Sequence, residues 1–180
     1  MSDSETLPTT IIPIENPTIL DTELTEQLLE KIPFENGDVL YDPWSNLTTF
    51  HDNFPRHLHH DRRSTDTFFE YPKKVDWLIG QPPHVVTQLV KDEKYCFYDL
   101  CEWIASQDRV EKGFCLVVNY VSYLSITPNR LEQLANHGFH LKKQVMCNIK
   151  AQRGRSFFMM FMKEDVFPTE PSIDYITGCY

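Results

Sequence analysis

The run Phe114-Cys115-Leu116-Val117-Val118 constrains this chain most: five apolar residues in succession, opened by Gly113, with no polar alternation. A half-buried strand alternates apolar and polar residues, so an unbroken run reads as a strand covered on both faces. Helices must then lie above and below it, which is the α/β class. The flanks agree. Phe97, Leu100, Cys101 and Ile104 recur at i, i+3, i+4 and i+7 and predict a helix over 95–107. Thr127 caps the next helix, Pro128 takes its first position, and Gly138 closes it after Leu131, Leu134 and Ala135. Residues 144–150 and 156–162 then read as two strands around the turn Gln152-Arg153-Gly154-Arg155, an antiparallel hairpin.

The first half carries shorter elements. Asp21 or Thr22 caps a helix running to about Lys31, with Leu24, Leu28 and Ile32 on one stripe. Pro33 ends it and Asn36-Gly37 turns the chain. Residues 38–42 predict a short strand that stops at Asp42, because Pro43 has no N–H to give a ladder. A short helix fits 45–54, a basic loop 56–63, and a short strand 67–71. Val75-Asp76-Trp77-Leu78-Ile79-Gly80 predicts a firmer strand; Pro82-Pro83 then forces the chain off the sheet, and 84–90 begins a helix.

Composition excludes several classes. Aromatic residues reach 13%, too many for a disordered chain. No apolar run approaches the length of a membrane span, and MSDSETLPTT has neither the basic nor the apolar part of a secretory signal. Five scattered cysteines, odd in number and with no CxxC pair, argue against a disulfide framework or a cysteine zinc site and fit an intracellular, cytoplasmic or nuclear setting. The net charge is −9, but it is uneven. Residues 1–30 hold seven acids and 164–180 four, with no Lys or Arg in either stretch; the 17 bases face fifteen acids between them. The expected organisation is an acidic arm over 1–20, a folded domain over 21–163 and an acidic tail over 164–180.

Two short motifs carry chemistry. Asp76-Trp77-Leu78-Ile79-Gly80-Gln81-Pro82-Pro83-His84 resembles the strand followed by (Asn/Asp/Ser)-Pro-Pro-aromatic of the amino-group methyltransferases that use S-adenosylmethionine, the N6-adenine type among them. Tyr41-Asp42-Pro43-Trp44, upstream, resembles the Asp-Pro-aromatic start of the cofactor loop in the same family. The resemblance spans roughly residues 36–163. It implies a Rossmann-like methyltransferase sheet, mostly parallel with an antiparallel C-terminal hairpin. It implies further that Gln81 and the Pro82 carbonyl accept hydrogen bonds from a target amine in the Pro82-Pro83 loop, that the His84 ring stacks on the base, and that Asp42, Pro43, Trp44 and Asp66 lie against S-adenosylmethionine. The family continues Asp-Pro-x-x-Gly-x-Gly, whereas this chain reads Asp42-Pro43-Trp44-Ser45-Asn46-Leu47 and has no glycine until Gly80.

Three functions stay open on these residues. The first is a methyltransferase of amino groups; the second is a non-catalytic subunit of the same fold that binds a protein or a nucleic acid. The third is an unrelated α/β module whose Pro-Pro loop is only a turn, which predicts no parallel pairing of 75–80 with 38–41. Arg56, Arg62, Arg63, Lys142, Lys143, Arg153 and Arg155 are the expected nucleic-acid contacts, and the acidic ends the expected protein contacts. His51, Asp52, His57, His59, His60 and Asp61 cluster in sequence, but at no spacing of a closed metal site.

Overall fold

The computed structural model describes residues 20–44, 50–61, 73–82, 96–149, 155–164 and 171–176. The expectations for 67–71 and 84–90, the arm over 1–19, and Arg62, Arg63, Asp66, Pro83, His84 and Arg153 lie outside them. In chain order the elements are α1 (Thr22–Leu29), β1 (Val39–Tyr41), α2 (Phe50–Asn53), β2 (His59–Asp61), β3 (Val75–Gly80), α3 (Phe97–Ser106), β4 (Val110–Asn119), α4 (Tyr120–Leu124), α5 (Pro128–Asn136), β5 (Phe139–Asn148), β6 (Arg155–Lys163) and β7 (Ser172–Tyr175).

The seven strands among the described residues form one sheet in the order β2-β1-β3-β4-β6-β5-β7. The pairs β1–β2, β1–β3, β3–β4 and β5–β7 are parallel; β4–β6 and β5–β6 are antiparallel. The sheet is therefore mostly parallel with an antiparallel hairpin, as expected. The parallel pairing of β1 with β3 is the opposite of what the unrelated module predicts.

The apolar run is buried as its pattern demands. Phe114, Leu116 and Val118 join one core with α3 and α5, while Cys115 and Val117 join the other with α1 and α2. Strand β6 divides the same way, Phe157, Met159 and Phe161 against Phe158, Met160 and Met162. Caps sit where their residues place them. Asp21 accepts from the Leu24 amide at 2.8 Å, Thr127 from the Arg130 amide at 3.4 Å, and Gly138 takes φ 85° just beyond α5.

Some boundaries move. The basic loop over 56–63 is part strand, because His59–Asp61 pairs with β1 at the sheet edge. Strand β5 starts at Phe139, five residues earlier than its pattern suggests, since the register slips between Leu141 and Lys143 and breaks the alternation. Ser172–Tyr175, within the acidic C-terminal segment, forms β7 beside β5, with Asp174 paired to Lys31 at 3.3 Å and Lys143 at 3.7 Å.

A polar cluster locks the amino-terminal ends of the strands. The buried Asp38 carboxylate accepts from the Trp77 indole at 2.8 Å, the Glu35 amide at 3.0 Å and Lys112 Nζ at 2.6 Å, and Lys112 also pairs with Glu35. Burial pushes the Asp38 carboxyl up, but these hydrogen bonds outweigh it and hold the group below its usual value. Trp77 in turn lies across Gly113: a Cβ there would fall 2.7 Å from the Trp77 ring and 2.7 Å from the Phe161 carbonyl oxygen. Gly113→Ala is therefore expected to cost about 1–3 kcal/mol by overpacking two central strands, read as a lower urea midpoint with an unchanged slope.

Candidate functional site at the carboxyl ends of β1 and β3

The chain runs from β1 to β2 on one side and returns with β3 on the other side of β1. The carboxyl ends of β1 and β3 are therefore a topological switch point of the sheet. Open parallel sheets bind ligands at such switch points. Tyr41 pairs with Leu78, so Asp42 leaves β1 level with Ile79, and Gln81 leaves β3 two residues higher. The two residues singled out by sequence emerge side by side.

Each is buried for a local reason. Pro43 ends β1, and the Asp42 carboxylate folds back to accept the Trp44 amide at 2.9 Å, an Asx turn. Asp42 is buried and Trp44 half-buried, its indole packed against the core that holds Tyr41 and Leu78. Gly80 is glycine because both lie on it: a Cβ would sit 2.7 Å from Asp42 Oδ1 and 2.7 Å from Trp44 Cε3. Where Gly-x-Gly would leave bare backbone against a ligand, this chain sets an indole against β3.

Gln81 differs. Only 7% of it is exposed, and its buried side-chain carbonyl oxygen has no hydrogen-bond partner among the described residues. Buried acceptors are nearly always satisfied, and an orphan costs about 1–3 kcal/mol. Pro82, beside Gln81, is buried as well.

Other expected contacts do not converge. Lys142 is buried in the slipped stretch of β5 and paired with Glu164, whose carboxyl that pairing lowers. Lys143 pairs with Asp174. Arg56 is exposed ahead of β2, at the amino end of the sheet, while Arg155 is exposed at the start of β6, near the Gln81 edge. Sequence reasoning missed two features of this edge. Asp61 ends β2 in register with Tyr41, nineteen residues after Asp42; its only sequence signal is the short His-His-Asp run. Helix α4, directly after β4, exposes Tyr120, Val121 and Leu124, and Tyr123 stacks on Phe157 at 4.1 Å. A separate cleft, lined by Lys73, Val75, Trp103, Ile104, Gln107 and Arg109, opens at the amino ends of β3 and β4 and has room for little beyond water.

Comparison with known proteins bears on the fold. A putative class I S-adenosylmethionine-dependent methyltransferase from Listeria monocytogenes superposes with a TM-score of 0.55 at 12% identity, covering 94% of this chain and 68% of that one. The fold is that of a class I methyltransferase. TrmN from Thermus thermophilus superposes with a TM-score of 0.50 at 13% identity, covering 79% of this chain and 48% of TrmN. No protein-family model matches the chain, and no curated protein matches it in sequence. Among the described residues no helix is long and apolar enough to cross a membrane.

Proposed function

We propose that this methyltransferase-fold chain binds an amino-bearing nucleobase, adenine in an unpaired strand, at the neighbouring strand ends that carry Asp42 and Gln81. The orphaned carbonyl oxygen of Gln81 carries the reading. An exocyclic amine has two N–H donors; Gln81 accepts one, and the Pro82 backbone carbonyl, by the family's pattern, accepts the other. The base must leave any duplex to reach them. Arg155 stands exposed on the same edge, where a backbone phosphate would pass. Lys142 and Lys143, held in ion pairs, are not part of this reading.

The test is an anisotropy titration with two single-stranded oligonucleotides, one carrying adenine and one carrying unsubstituted purine, which lacks the amine. The adenine strand is expected to bind about tenfold or more tightly, the worth of a donor matched to a buried acceptor. Equal affinity removes the assignment.

A further inference from the structure

The carboxyl end of β1 is where the resemblance puts S-adenosylmethionine, and the residues there do not fit that cofactor. Three observations meet. The indole of Trp44 and the carboxylate of Asp42 both lie within van der Waals reach of the Gly80 Cα, at the spot a Cβ would fill. The Asp42 oxygen that lies there already accepts the Trp44 amide, closing the turn over β3 rather than opening it toward a ligand. The turn has no glycine: Asn46 stands where the first of the family's pair would be.

We infer that Trp44 is a built-in plug, so that the chain holds its amine ligand without S-adenosylmethionine and does not methylate it. The ligand part rests on the Gln81 reading; the plug rests on the fold and on Trp44 alone, and the two fail separately. Half the site is kept with a buried polar group left open. The other half is filled by a half-buried ring packed against the core.

Calorimetry on the full wild-type chain with S-adenosylmethionine, and separately with S-adenosylhomocysteine, is expected to give no saturable heat at millimolar ligand. Trp44→Ala removes the plug and leaves a ring-shaped notch; its melting temperature is expected to fall by several degrees. Apolar cavities opened in a core bind small aromatic molecules, so millimolar indole is expected to raise the melting temperature of Trp44→Ala and leave the wild type unchanged. Saturable cofactor heat on the wild type overturns the inference, and so does a folded Trp44→Ala that indole fails to stabilise. Should Trp44→Ala not fold, the wild-type calorimetry stands by itself. None of these readouts depends on oligonucleotide binding.

Discussion

Asp38→Ala is expected to lower stability by about 3 kcal/mol and the thermal midpoint by roughly 6–12 °C. The carboxylate satisfies three donors at once, and its removal leaves the fully buried Trp77 indole N–H and the Glu35 amide without their acceptor. Lys112 keeps Glu35 as a partner, which limits the loss. Asp38→Asn retains an acceptor for Trp77 and loses the charge, so about half the effect is expected. The pH dependence follows from the sign of the shifts. The folded-state value of Asp38 is lowered, so its contribution is complete above the usual carboxylate value of 3.8 and is lost as pH falls through the lower folded value. Burial pulls the Lys112 ammonium down, but hydrogen bonds to Asp38 and Glu35 outweigh it and raise it; its contribution is complete below 10.5 and is lost as pH rises through the raised value. Urea midpoints for wild type and Asp38→Ala should therefore lie furthest apart across the neutral range and converge at the acid end. A gap that persists in acid would mean the cost is packing, not charge.

Gln81→Leu should move function and stability in opposite directions. Leucine has similar bulk and no polar atom, so the orphaned acceptor disappears and the melting temperature is expected to hold or rise, by up to about 1 kcal/mol of stability. The preference for the adenine strand should disappear with it. A structural glutamine would behave otherwise, because removing a satisfied buried amide destabilises the fold. Opposed signs of this kind mark a residue kept for binding at the fold's expense.

The layered fold was legible because its signals are local. The apolar run at 114–118, the Thr127-Pro128 cap, Gly138 and the strand over 75–80 each report burial or backbone geometry within a few residues. Strand β2 was hidden because it is three residues long, polar and, among the described residues, paired with β1 alone; an edge strand needs no apolar signature. The early half of β5 was hidden by its register slip beside Lys142. For the site, the two Asp-Pro and Pro-Pro motifs were enough to bring Asp42 and Gln81 to one edge, since each follows a strand directly. The Trp44 contact with Gly80 was not legible, nor was the Trp77 bond to Asp38, 39 residues away. Both depend on which strands become neighbours.

The central claim is that a buried glutamine oxygen is held open for an amine. It is tested most directly by the ratio of affinities for the adenine and the amine-free purine strand, measured on wild type and on Gln81→Leu in the same buffer. The account expects about tenfold or more on wild type and a ratio near one on a variant that melts no lower. Equal binding by the wild type, or a preference that survives the substitution, would contradict it.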